Sequence, residues 1–197
     1  MTESTDKNKI NTRMLVESAL MVAIAAVLGN LVIFRLPSGG SVTIGSMIPI
    51  MLVSLKYPFK WAFTVAMAYS LTEILTGFYA PPVGTVFYYI LVVLLDYAAA
   101  FGAFSLAGPA YRILPQSWRM RLKLACVASL CAAGRFLCHF ASGILIWGVY
   151  APQGQPVWLY SLLYNGSYML FEGLIAVVIF LAAGERMVRL YVGDRSI

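Results

Sequence analysis

The sequence predicts an all-α membrane protein: one bundle of six transmembrane helices, with the N and C termini both cytoplasmic. Three observations carry that expectation. Of 197 residues, 61% are hydrophobic and only 11% charged, and the mean hydropathy is strongly positive, a balance that excludes an ordinary water-soluble domain. Long apolar runs recur along the chain, and at about 1.5 Å rise per residue a bilayer core needs roughly 20 residues per crossing. Finally, the basic residues gather at alternate junctions. Lys7, Lys9 and Arg13 precede the first run, and Lys56 and Lys60 separate the second from the third. Arg112, Arg119, Arg121 and Lys123 separate the fourth from the fifth, and Arg186, Arg189 and Arg195 follow the sixth. Positive residues mark the cytoplasmic side, which places both termini there and makes the number of spans even. The formal charge of +6 therefore reports topology; it forms no single basic stripe and accompanies no nucleic-acid motif.

Taken in order, residues 1–12 form a polar tail, with Asn11 or Thr12 capping the first helix. Span one is expected over Arg13–Phe34, a retained helix rather than a signal peptide because no small-residue cleavage site follows it. Ala19, Ala23 and Ala26 give it a small-residue face suited to close helix approach, either within the bundle or against a partner. Arg35 to Ser41 is rich in helix breakers and reads as an outer connector or as a lid over a site. Span two, about Val42–Tyr57, is short and contains Pro49, which predicts a kink or tilt. After the turn Lys56–Lys60, span three runs from Trp61 to Phe78 with Glu73 in its outer part, and Pro81-Pro82 end the connection that follows. Span four, about Val83–Leu106, carries Asp96 near its midpoint. Gly108 to Lys123 is a basic connection with an interfacial piece near Trp118. Span five covers Leu124–Val149, and span six about Leu159–Ala183. Cys126, Cys131 and Cys138 lie within one apolar helix without metal-ligand spacing, so neither disulfide, metal nor other cofactor is expected.

Ionisable groups at bilayer depth cost several kcal/mol unless they face a partner or a watery cavity. Six polar residues in spans need such an explanation: Glu73, Asp96, Arg135, His139, Asn165 and Glu172. The stretch around span five is the centre of the pattern. Read as a helix, it stacks Arg135, His139, Gly143 and Trp147 at successive i, i+4 steps on one face. Span four runs inward and span five outward, so Asp96 lies at a depth comparable to that of Arg135 and His139. Tyr160 and Asn165 begin span six in the same outer layer. Aromatic planes, a carboxylate, an amide and an imidazole together suit a small, flat, partly cationic ligand. Structural readings stand beside this one: Asp96 and Arg135 as a buried pair, His139 as an interior histidine, Trp147 as an interfacial belt residue, and Glu73 and Glu172 as structural or lining groups.

The segment Gly134-Arg135-Phe136-Leu137-Cys138-His139-Phe140 through Trp147, with Leu95-Asp96-Tyr97 before it and Tyr160-Ser161-Leu162-Leu163-Tyr164-Asn165-Gly166 after it, resembles the thiamine-specific substrate-binding subunits (S-components) of energy-coupling factor transporters. That resemblance spans nearly the whole chain. It implies a multi-pass protein of a bacterial plasma membrane that captures thiamine, vitamin B1, from outside. It also implies docking onto a module of one transmembrane coupling subunit and two ATPases, and no enzymatic activity. By the same resemblance the substrate-binding residues are Asp96, Tyr97, Arg135, His139, Gly143, Trp147, Tyr160 and Asn165, and the docking face includes Ala19 and Ala23. The chain departs from the family in having Asp96 where a glutamate is usual and Arg135 where a lysine occurs. It also has Gly39-Gly40-Ser41-Val42-Thr43-Ile44 in the lid region, where some members carry an aromatic and an acid.

Three rivals remain distinguishable. One is an S-component for another vitamin or precursor, such as riboflavin, biotin or hydroxymethylpyrimidine, which a ligand panel separates. Another is an intramembrane enzyme using Asp96 and His139 as acid and base, which would alter its bound substrate. The third is a solitary channel or carrier, which would take up solute in vesicles without a coupling module.

Overall fold

The computed structural model describes residues 11–37 and 39–193; the expectations for Lys7, Lys9, Arg195 and most of the polar tail lie outside them. Helix α1 (Thr12–Asn30) starts at the Asn11 cap, whose side chain accepts the Met14 N–H at 2.8 Å. It ends four residues before the expected boundary, because Gly29-Asn30 stop it and the β-branched run beyond goes extended. Strand β1 (Val32–Arg35) pairs antiparallel with β2 (Ser41–Thr43), with an irregularity between Val32 and Phe34. The segment expected as a helix end and a loop is therefore a hairpin. At its tip Gly39 adopts φ +94°, a left-handed conformation that favours glycine.

Helix α2 (Met47–Lys56) is ten residues long, about 15 Å, and too short to cross a bilayer. From Met47 to Leu55 every residue is buried, so α2 is the pillar of the core, packed by α1, α3 and the helices that follow. Pro49 is its third residue, in the first turn, where no intrahelical hydrogen bond needs a proline N–H; the expected kink has no cause.

Helix α3 (Phe59–Gly77) leads through residues 78–85 to α4 (Val86–Ile113). Residues Val93–Ala99 of α4 form a π-helical stretch that contains Asp96 and Tyr97. The helix runs seven residues past the expected end, taking in the start of the supposed basic connection. Gly108 lets α4 touch α2: a Cβ there would meet the Ser54 carbonyl oxygen at 2.0 Å, while its N–H donates to Ser54 Oγ at 2.8 Å.

Helices α5 (Met120–Leu145) and α6 (Val157–Tyr191) form the most extensive helix pair. Among the described residues, α1, α4, α5 and α6 are long and apolar enough to cross a membrane. Their outward faces carry large apolar side chains such as Val16, Val27, Val86, Leu137 and Leu170, each more than half exposed. Water would not tolerate such a belt; lipid does. Ala19 and Ala23 lie on the outward face of α1, whereas Ala25 is fully buried.

Candidate functional site

The hairpin, the ends of α1 and α3, and helices α4, α5 and α6 enclose a cavity of about 320 Å³, at the small end of the size range of ligand pockets. Each of the eight residues named from the sequence lines it: Asp96, Tyr97, Arg135, His139, Gly143, Trp147, Tyr160 and Asn165. Their local geometry differs from the expected helical stripe in one respect. Helix α5 ends at Leu145, and Trp147 stands in a separate 3-10 turn, Trp147–Tyr150. The stripe holds for Arg135, His139 and Gly143 alone.

Asp96 is the polar centre. Its Oδ1 accepts from His139 Nδ1 at 2.9 Å, and its Oδ2 from Ser142 Oγ at 2.6 Å and Trp147 Nε1 at 3.0 Å. The π-helical stretch inserts an extra residue into the turn that presents Asp96 and Tyr97, a device that recurs where a helix must re-aim side chains. Arg135 does not pair with Asp96. Its Nη1 lies 3.5 Å from Glu172 Oε2 and its guanidinium 4.7 Å above the Phe101 ring. Arg135 Nε, which can only donate, sits 3.3 Å from His139 Nε2. The tautomer that satisfies both contacts accepts from Arg135 at Nε2 and donates from Nδ1 to Asp96. The cation of the cluster is matched by Glu172.

Gly143 lines the cavity and also meets α6: a Cβ would lie 2.1 Å from Ser161 Oγ and 2.8 Å from Asn165 Nδ2. Asn165, 6% exposed, sits at the same crossing. Its Nδ2 donates to the carbonyls of His139 and Ser161, each at 3.1 Å, and its Oδ1 accepts from Tyr168 at 3.0 Å. It therefore clamps α6 to α5 as well as lining the cavity. Tyr97 accepts the Tyr79 N–H at 3.0 Å and donates to the Gly77 carbonyl at 3.3 Å, which ties the 78–85 connection to α4.

Aromatic rings supply much of the remaining wall. Trp147 lies 5.4 Å from Tyr79 and 6.4 Å from Tyr150, nearly parallel to the latter, and Tyr160 stacks on Tyr164 at 5.8 Å. Tyr79, Tyr164, Tyr168, Glu73 and Arg35 are also among the lining residues. Of these the sequence signals only Glu73, as an acid in a span, and Arg35, as a charge in an outer loop. The tyrosines are indistinguishable from interfacial belt residues until the helices are packed. Glu172, expected as a structural group, pairs with Arg135 and accepts the Thr43 backbone N–H from the hairpin.

Residues 15–192 match the sequence model of the family described as Thiamine transporter protein (Thia_YuaJ). The chain belongs to this family. Within it, the thiamine transporter ThiT of Bacillus subtilis (strain 168) is 31% identical over 191 residues, covering 92% of this chain and 95% of the relative. A thiamine transporter ThiT of Lacticaseibacillus paracasei is 42% identical over a 45-residue stretch, 23% of this chain and 22% of the relative. A solved structure of ThiT from Listeria monocytogenes superposes with a TM-score of 0.69 at 22% identity, covering 92% of this chain and 99% of that one. That likeness shows a shared fold. As a member of a family of membrane transporters, the chain is a transport protein rather than an enzyme.

Proposed function

We propose that this chain is the thiamine-binding subunit of an energy-coupling factor importer. The observation that carries the reading is the cavity floor, where the Asp96 carboxylate is held by hydrogen bonds from His139, Ser142 and Trp147, beneath aromatic walls. Such a floor selects a flat cation. Thiamine has that shape and charge, and the family match narrows the class to it.

In this reading the thiazolium sits against Asp96 and the aminopyrimidine stacks on Trp147, with Tyr160 and the Oδ1 acceptor of Asn165 at its edge. Tyr97, Gly143 and His139 shape the wall. Arg135 is kept from repelling the cation by Glu172. The six helices form one substrate-binding domain, the hairpin and α2 together making one of its six passages, with both termini on the cytoplasmic side. The cluster of Lys56, Lys60, Arg112, Arg119, Arg121, Arg186 and Arg189 at the end away from the cavity supports that orientation. The cavity then opens outward from a bacterial plasma membrane. The outward face of α1, with Ala19 and Ala23, docks the transmembrane coupling subunit, and two ATPases drive uptake.

Titration of the purified protein with thiamine, riboflavin, biotin and hydroxymethylpyrimidine, followed by intrinsic tryptophan fluorescence, tests the assignment. Thiamine is expected to quench and saturate at the lowest concentration; saturation by another vitamin alone refutes it. Trp147→Ala should weaken thiamine by about 2 kcal/mol, roughly thirty-fold, through lost stacking and apolar contact with the aminopyrimidine. Isothermal calorimetry on the variant checks this, and unchanged affinity would remove Trp147 from the site.

A further inference from the structure

Helix α6 buries Glu172 to 1% exposure, and the sequence gives no reason for an acid there. Its two oxygens serve different elements. Oε1 accepts the backbone N–H of Thr43, on strand β2 of the hairpin, while Oε2 faces Arg135 Nη1 at 3.5 Å. From Arg135 the line continues without a gap. Arg135 Nε donates to His139 Nε2 at 3.3 Å, and His139 Nδ1 donates to Asp96 Oδ1 at 2.9 Å. Hairpin, α6, α5 and α4 are thereby joined by one chain of hydrogen bonds that ends on the carboxylate proposed to hold the ligand's charge.

We infer that Glu172 is a positioning residue that fastens the hairpin over the cavity and couples it to the seat at Asp96. This rests on the proposed function only for the identity of the ligand. A buried carboxylate is tolerated only when its oxygens are satisfied. Releasing the hairpin from Glu172 therefore exposes the cost of an under-satisfied charge, and the hairpin stays down while the pair with Arg135 holds.

The hairpin has other ties: Thr43 Oγ1 donates to Ser46 Oγ at 2.9 Å and Tyr79 Oη donates to the Pro37 carbonyl at 3.4 Å. Gly40 N–H donates to Tyr164 Oη at 3.1 Å, and Val42 packs in a small apolar cluster with Tyr168 and Met169. Ile33 and Phe34 are more than half exposed. Hairpin residues including Leu36, Gly40 and Ser41 line the cavity, so a ligand held there touches this segment.

The test compares Glu172→Asp, which keeps the charge but withdraws it by one methylene, with Glu172→Gln, which removes it. Amide hydrogen exchange of the full chain in detergent micelles, without and then with thiamine, reads the hairpin; stopped-flow fluorescence reads the rates. Both variants should speed exchange at Thr43 about tenfold or more without ligand, leaving the α5 and α6 core amides unchanged. Both should raise the thiamine dissociation rate about tenfold with little change in association rate. Wild-type exchange and dissociation rates in folded variants would overturn the inference.

If neither variant folds, the unaltered chain decides. Its Thr43 amide should exchange as slowly as core α6 amides, and exchange as fast as at a solvent-facing amide overturns the role. The ligand-free arm stands even if thiamine fails to bind, so loss of the proposed function and loss of this coupling are separable.

Discussion

Asp96→Asn should abolish high-affinity thiamine binding, weakening it by about 3 kcal/mol or more, on the order of a hundred- to a thousand-fold. The substitution is nearly isosteric. It keeps an acceptor for His139 and removes the charge, while the amide nitrogen it introduces replaces the oxygen that accepts from two groups, Ser142 and Trp147, and the indole N–H can only donate. The cavity floor then loses its attraction for a cation and gains a donor–donor conflict. Equilibrium binding measured by calorimetry, with thermal unfolding as the control for folding, checks the result. Affinity within about threefold of wild type would show that the ligand's charge is held elsewhere, Glu73 being the other carboxylate in the wall.

Gly143→Ala should be the most damaging single methyl addition at the α5–α6 contact. The added Cβ would lie 2.1 Å from Ser161 Oγ and 2.9 Å from Ser161 Cβ, and Ser161 is itself fixed by its bond to the Phe140 carbonyl at 2.7 Å. The helices must separate, and overpacking of this kind costs about 3 kcal/mol, roughly 10 °C in apparent Tm for a chain of this size. Asn165 moves with α6, so thiamine binding falls together with stability. Thermal unfolding in detergent reads the first effect and a thiamine titration below the transition reads the second. A variant with unchanged Tm would mean that the helix pair is looser than its geometry indicates.

The spans were largely legible because lipid imposes a simple rule: a long apolar run must be a helix or part of a closed barrel. That rule also misled at two places. Val32–Phe34 continues the apolar run of α1, and hydropathy alone predicts helix there. The stop signal Gly29-Asn30 and the β-branched pair Val32-Ile33 were present but overridden by hydropathy. Helix α2 is apolar throughout because it is buried on all sides by protein, which composition cannot distinguish from burial in lipid.

At the site, residue types at bilayer depth identified the lining, since a charge or amide there needs a polar cavity or a partner. Partnership was less legible. The contact between Arg135 and His139 follows from their i, i+4 spacing, but choosing Glu172 over Asp96 as the mate of Arg135 requires the packing of α6 against α5. The π-helical stretch that aims Asp96 leaves no mark in the sequence. Nor does the sequence name Ser161 as the residue that Gly143 meets at the crossing of α5 and α6. Tyr79 and Tyr164 enter the wall only because the hairpin and the 78–85 connection meet at one end of the bundle.

The most direct measurement compares the affinity of the unaltered protein for thiamine with that for an uncharged analogue in which a thiophene ring replaces the thiazolium. The two ligands share shape and aminopyrimidine, so the difference isolates the charge that Asp96 is held to attract. Thiamine should bind tighter by about 2 to 3 kcal/mol, on the order of a hundred-fold. Equal affinity for both would contradict a cavity floor built to hold a cation.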